Sequence, residues 1–223
     1  KDFFYRIFDG RVKQLWMDDE FRRKKRVMYK LVNGKKTDLL NITEDIIQLY
    51  YSRVRPFKVA VICNTIDKAQ KVFQGLRDNL EERDIDVELL HSRFIYKHRS
   101  DKEEKINRWI KTERSFILVA TQVVEVSLDI SFDFMVTECA PLGSLVQRFG
   151  RVNRYNDKTD DINVWITYPT EIEAIRAKEK YPYDLRNISE TWNFLKDFEG
   201  AKLKNELQLI EEYDNRAFLS SVK

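Results

Sequence analysis

Phe116-Ile117-Leu118-Val119-Ala120 is a run of five apolar residues without a polar break. A strand with one face in water alternates apolar and polar residues. An unbroken run therefore indicates a strand covered on both faces, as in a parallel sheet. The chain then changes character at once. Thr121-Gln122-Val123-Val124-Glu125-Val126-Ser127-Leu128-Asp129-Ile130 places small or polar groups at 121, 122, 125, 127 and 129. Ligand-binding side chains gather where parallel strands end at their carboxyl edge, so this junction is expected to form one side of a site.

Working outward, the pattern alternates. Residues 58–63 read as a strand, 66–80 as a helix, 85–90 as a strand and 101–111 as a helix. After the 116–120 strand come a strand near 132–138, a helix over 142–150 and a strand over 162–167. Such alternation predicts an α/β fold whose sheet is mostly parallel, sandwiched between two helical layers. A helix is expected over 43–52, capped by Thr43 or Asn41. Asn33-Gly34, flanked by residues 26–32 and 35–40, predicts a hairpin because a type I′ turn needs positive φ at both positions. The preceding Arg22-Arg23-Lys24-Lys25-Arg26 reads as charge protecting an edge strand, slightly ahead of a nucleic-acid contact. Past residue 169 the pattern is helical, over 171–180, 185–198 and 201–213. The expected organisation is an extension or interlobe segment with a hairpin over 1–41, a central domain over 42–169, and C-terminal helices over 170–223.

Composition narrows the class. The 223 residues suffice for a substantial core. With 40 Lys and Arg against 37 Asp and Glu the net charge is only +3, so local clustering, not bulk charge, has to identify a polyanion partner. Cys63 and Cys139 lie in apolar strand contexts and read as small buried hydrophobes rather than a disulfide or metal pair. No apolar run approaches the roughly 20 residues that span a bilayer, so no membrane partner is expected. Residues 1–10 mix charges with aromatics, unlike a cleavable signal, and a cytoplasmic location is the default. The chain does not begin with Met and reads as a piece of a longer protein.

A second segment carries chemistry. Gln147-Arg148-Phe149-Gly150-Arg151-Val152-Asn153-Arg154 spaces three arginines three residues apart. On a continuous helix that spacing would group the guanidiniums on one surface. Guanidinium binds phosphate oxygens in pairs, and an arginine reaching a transferring phosphoryl group is an arginine finger. A solvated basic face or an RNA-binding turn is the alternative reading of the octet alone. Between the two segments lie another apolar strand, Phe134-Met135-Val136-Thr137, and the turn Ala140-Pro141-Leu142-Gly143.

Together these stretches resemble the fifth and sixth motifs of superfamily 2 helicases. The order Val119 through Val123, Ser127-Leu128-Asp129-Ile130, Ala140-Pro141 and the arginine octet containing Asn153 is similar to the CRISPR-associated type I helicase. Cys63-Asn64-Thr65 and Leu90-His91-Ser92-Arg93-Phe94 sit where that family carries similar residues, so the resemblance covers about residues 57–168. It implies a second RecA-like lobe. ATP with Mg²⁺ would bind between this lobe and a first lobe. Arg151 and Arg154 would be catalytic, and Gln147, Arg148, Asp129, Glu125 and Ser127 would serve the nucleotide. Asn64, Thr65, His91, Ser92, Arg93, Thr121 and Gln122 would contact single-stranded DNA. Two of these carry a purely structural alternative: Thr65 as a helix cap and His91 as a packed strand-end histidine.

The family also implies a crRNA-guided surveillance complex and an HD-type nuclease domain or subunit as partners. This sequence has only His91 and His98, so that nuclease is expected elsewhere. A phosphate loop is missing too. Gly34-Lys35-Lys36-Thr37 lacks the earlier glycine, and no adjacent acidic pair follows a buried strand. The chain is therefore expected to hold half of an ATP site and to be inactive alone. A superfamily 2 RNA helicase lobe and a non-catalytic nucleic-acid- or protein-binding module are the competing readings.

Overall fold

The computed structural model describes residues 27–32, 39–53, 57–80, 85–127, 129–154, 161–168, 181–199 and 207–221. Six strands alternate with helices: β1 (Tyr29–Val32), a 3-10 turn (Leu39–Ile42), α1 (Thr43–Ser52), β2 (Lys58–Ile62), α2 (Ile66–Leu80), β3 (Asp86–Leu90) and α3 (Tyr96–Lys111). Then follow β4 (Phe116–Ala120), α4 (Val123–Ser127), β5 (Phe134–Glu138), α5 (Leu142–Phe149), β6 (Val164–Thr167), α6 (Leu185–Lys196) and α7 (Leu207–Ser221). The strands form one sheet in the order β1-β6-β5-β2-β4-β3, and every pairing is parallel.

The unbroken apolar runs are explained by two buried faces. Val59, Val61, Cys63, Ile117, Val119 and Val136 pack under α1 and α2, while Ala60, Ile62, Phe116, Leu118, Ala120 and Met135 pack under the opposite layer. That layer is built from α3, α5, α6 and α7, through Ile106, Leu145, Phe149, Trp192, Leu195 and Leu209. The expected α/β sandwich with a parallel sheet and C-terminal helices is present. Both cysteines are buried and free, and among the described residues no helix is long and apolar enough to cross a membrane.

Two expectations about the ends of the chain change. β1, read as one arm of a hairpin, pairs with β6 in the main sheet: Met28 N–H donates to Asn163 Oδ1 at 2.9 Å, and Tyr29 lies opposite Val164. The Asn33-Gly34 turn lies outside the described residues, and Leu39 and Leu40 begin a 3-10 turn instead of the second arm. The segments on either side of residues 41 and 170 pack against one another. The Tyr29 hydroxyl donates to the Leu195 carbonyl at 2.8 Å, Leu31 N–H donates to Glu199 Oε1 at 2.6 Å, and Tyr29 stacks near Phe149. Helices α6 and α7 thus complete the same layer as the central helices, and Glu199 satisfies an edge-strand donor that would otherwise invite pairing. Finally, the residue that precedes α1 is Ile42, which supplies no side-chain cap.

At the other edge, Glu88 is buried on β3 and accepts from Lys105 Nζ at 2.8 Å and from Lys102. Burial works against its ionisation, but the two lysines and the Leu89 amide outweigh it and hold the carboxyl below the usual range. The pair of lysines fixes α3 over β3, which positions the 91–95 turn between them.

Candidate functional site

The arginine octet does not form one surface. α5 ends at Phe149 and its buried face is Leu142, Leu145, Arg148 and Phe149, so Arg148 falls under the helix with the apolar residues. A helical side chain leans toward the N-terminus of its helix, which brings the Arg148 guanidinium back to the carboxyl ends of β2 and β5. There it is 0% exposed. Nε donates to Glu125 Oε1 at 2.9 Å, Nη1 to Thr137 Oγ1 at 2.8 Å and the Glu138 carbonyl at 3.0 Å, and Nη2 to Asn64 Oδ1 at 3.1 Å and the Tyr183 hydroxyl at 3.0 Å. A guanidinium has five N–H donors, and all five are used. Arg148 cannot bind a nucleotide without abandoning this cage, which corrects its expected role.

Asn64 is corrected for the same reason. It is buried; its backbone N–H donates to Glu138 Oε2 at 2.7 Å, and its side-chain amide donates to the Cys139 carbonyl at 2.8 Å and the Tyr181 hydroxyl at 2.7 Å. Its carbonyl accepts from Gln122 Nε2 at 2.8 Å. Lys68, buried on α2, lies 3.9 Å from Glu138 Oε1. Arg148, Glu125, Glu138 and Lys68 therefore place two cations and two anions in the interior, the arrangement that makes buried charge tolerable. Burial, followed by the nearby Glu138 carboxylate, pushes the Tyr181 hydroxyl well above the ordinary tyrosine range, keeping it neutral. Sequence reasoning missed Lys68, Thr137, Glu138, Tyr181 and Tyr183. Lys68 and Glu138 left a signal, as charged residues inside buried patterns; the tyrosines left none.

Beyond Phe149 the chain turns. Phe132 and Val152 form an isolated parallel bridge, with Phe132 N–H donating to the Arg151 carbonyl and Asn153 N–H to the Phe132 carbonyl, each at 2.8 Å. Arg154 N–H donates to Ser131 Oγ at 2.8 Å. Asn153 has φ 51°, a left-handed conformation that Asn tolerates better than most residues. This pinned turn presents Arg151 and Arg154 while α5 hides Arg148. Arg151 Nη2 donates to the Glu125 carbonyl at 2.7 Å, and Arg154 pairs with Asp129, whose side chain is 79% exposed. Glu125 thus holds Arg148 with its carboxylate and Arg151 with its carbonyl, acting as the clamp between the two. Gln147 is exposed on α5, and the Ser127 side chain lies outside the described residues.

The remaining expected contacts share one edge, because β2, β4 and β3 are adjacent and parallel. Thr65 accepts from Lys68 N–H at 3.3 Å through Oγ1, so it caps α2. Thr121 is buried, Gln122 is half-buried on Asn64, and Ser92 and Arg93 are exposed. His91 is buried and stacks on Phe94 with ring centroids 4.0 Å apart. Neither ring nitrogen has a hydrogen-bond partner. Burial, reinforced by the charges of Arg93 and Lys102, lowers its pKa and keeps it neutral.

That gives a pH prediction. A group whose folded pKa is depressed contributes stability above its unfolded pKa, about 6.5 for His, and loses it as pH falls toward the folded value. The denaturant midpoint should therefore decline as pH drops below that value, and His91→Phe, which preserves a ring against Phe94, should flatten the decline. An unchanged acid limb in the variant would exclude His91 as its source.

The family described as CRISPR-associated nuclease/helicase Cas3, C-terminal, matches residues 56–157. The chain is 33% identical over 154 residues to the CRISPR-associated endonuclease/helicase Cas3 of Escherichia coli (strain K12), covering 66% of this chain and 17% of that protein. T. fusca Cas3 crystallised with AMPPNP aligns with a TM-score of 0.66 at 22% identity, over 89% of this chain and 26% of that one, a likeness of fold. A chain from a pre-nicking CRISPR RNA-guided surveillance complex aligns with a TM-score of 0.63 at 25% identity, over 87% of this chain and 25% of that one. Across three curated relatives this chain spans between 17% and 21% of their length.

Proposed function

Through residues 56–157 this chain belongs to the Cas3-like C-terminal family of CRISPR-associated helicases, and from that premise we propose that it works as the second RecA-like lobe of an ATP-dependent single-stranded DNA translocase in CRISPR interference. The observation that carries the reading is the division among the three arginines. Arg148 is consumed inside the fold, whereas Arg151 and Arg154 are held on a turn that is braced by Phe132 and Ser131 yet remains partly exposed. Rigid presentation of guanidinium is what stabilising a transferring phosphoryl group requires.

In this reading ATP binds between the turn and a first lobe carrying the phosphate loop. Arg151 and Arg154 reach the γ-phosphate, Gln147 lies beside them, and Asp129 releases Arg154 as the nucleotide arrives. The Arg154–Asp129 pair suits such exchange, because exposed ion pairs contribute only about 0–1 kcal/mol. Magnesium bound with ATP neutralises charge on the β- and γ-phosphates. Among the described residues no group of three His, Cys, Asp or Glu is placed to hold a metal ion, so its ligands are assigned to the first lobe and ATP itself. Alone, this chain would be inactive. An HD-type nuclease domain or subunit and a crRNA-guided surveillance complex are the proposed partners, in the cytoplasm.

Single-stranded DNA would run along the β2-β4-β3 edge. Ser92 and Arg93 make the direct contacts, Thr65 and Gln122 offer partly exposed polar atoms, and Thr121 and His91 back them from below. Such contacts read phosphate and not sequence. Affinity should fall with salt, with a slope of about −0.7 for each phosphate neutralised on a single strand, and Arg93→Ala should lessen the slope by about that amount. Fluorescence anisotropy across a salt series checks this; an identical slope in the variant removes Arg93 from the path. ATPase stimulation by single-stranded DNA but not by RNA of the same sequence tests the substrate class, and stronger stimulation by RNA overturns it.

A further inference from the structure

Four large hydrophobic residues are exposed among the described residues, and two of them are neighbours: Ile95 at 62% and Tyr96 at 88%. They stand where the 91–95 turn enters α3, directly after Ser92 and Arg93. Scattered apolar residues on a surface need no explanation, but adjacent ones in a charged setting do. Of the four Arg and Lys in residues 91–102, Arg99 pairs with Glu103 and Lys102 with Glu88, while Arg93 and Lys97 are exposed beside the two apolar residues. Lys97 and His98, the next two residues, are exposed as well.

The turn that presents them is stiff. His91 stacks on Phe94, Lys102 Nζ sits 4.7 Å from the Phe94 ring centroid, and the Phe94 N–H faces the His91 carbonyl at 3.5 Å. Ile95 is extended, with φ −62° and ψ 153°, so α3 starts abruptly at Tyr96. A solvent-exposed ring fixed beside basic side chains has the make-up of a base-stacking platform. Backbone phosphates take the cations while a base lies on the ring, without regard to sequence.

Resting on the proposed reading of the sheet edge as a DNA path, we propose that Tyr96 stacks on a base of the translocating single strand, with Ile95 flanking it and Arg93 and Lys97 on the adjoining phosphates. The strand is favoured over a protein partner by charge and by continuity with Ser92 and Arg93. Two exposed residues amid cations offer a protein little apolar area to bury.

The test uses the complete protein and a fluorescein-labelled oligothymidylate. Tyr96→Ala is expected to weaken binding by roughly 5- to 150-fold, the range for removal of one aromatic stacking partner. The salt slope should stay unchanged because no charge is lost. Tyr96→Phe should bind as the unaltered protein does, and Tyr96→Leu should not, since only a flat π-face stacks. ATP hydrolysis without DNA should be equal in all three. Wild-type affinity in Tyr96→Ala or Tyr96→Leu overturns the proposal while leaving the DNA path intact. Loss of association with the surveillance complex at unchanged oligonucleotide affinity would overturn it in favour of a protein-docking role. If the unaltered protein itself fails to bind the oligonucleotide, the underlying reading fails, and the proposal with it.

Discussion

Arg151→Ala in the complete protein is expected to reduce ATP hydrolysis by about 10³- to 10⁵-fold, the range for loss of an arginine finger. Arg151 sits at the bridged turn between Phe132 and Val152, its carbonyl is fixed by Phe132 N–H, and its Nη2 rests on the Glu125 carbonyl. Arg151 is partly exposed, so an arriving anion can reach it. The hydrogen bond to the Glu125 carbonyl is worth about 1 kcal/mol, about 2–4 °C of melting in a domain of this size, so the loss of hydrolysis should far exceed the loss of stability. Binding of single-stranded DNA should be unaffected, because the proposed contacts lie on β2, β4 and β3. Arg151→Lys should not rescue hydrolysis, since an ammonium lacks the planar pair of donors. Single-turnover hydrolysis measured alongside thermal melting separates chemistry from folding.

The second large effect has the opposite signature. Arg148→Ala should fail by unfolding. Removing the guanidinium leaves Glu125 as a buried carboxylate without its cation and strips acceptors on Asn64, Thr137 and Tyr183 of their donor. Breaking a buried ion pair from one side costs about 3–5 kcal/mol, against a total stability of about 5–15 kcal/mol for a domain. Melting should fall by about 6–20 °C. Arg148→Lys should recover little, since three donors cannot fill five positions. Retained melting in Arg148→Ala with hydrolysis lost would mean that the residue serves the nucleotide after all.

That contrast shows how far the sequence could be read. Apolar runs and helical periodicity located β2, α2, β4 and β5 because each is a local signal with two buried faces behind it. The partnership of β1 with β6 spans more than a hundred residues, and no local pattern announces a parallel pairing at that distance. Asn33-Gly34 instead offered a nearby antiparallel one. α4 is only five residues long, too short for periodicity to register. At the site, three-residue spacing suggested a common surface for Arg148, Arg151 and Arg154. Leu142 and Leu145 have the same spacing with Arg148, and that phase decides its direction. The helix stops at Phe149, so Arg151 and Arg154 escape it. Tyr181 and Tyr183 were illegible because they come from outside the motif-bearing segment and reach the cage only through the fold.

The proposed function requires that this chain hold half of an ATP site, completed by a first lobe. The most direct test is ATP hydrolysis with saturating single-stranded DNA by this chain alone and by the complete protein, the latter with and without Arg151→Ala. The account predicts no turnover from the chain, DNA-stimulated turnover from the complete protein, and its loss in the variant. Robust hydrolysis by the isolated chain, or hydrolysis in the complete protein that survives Arg151→Ala, would contradict it.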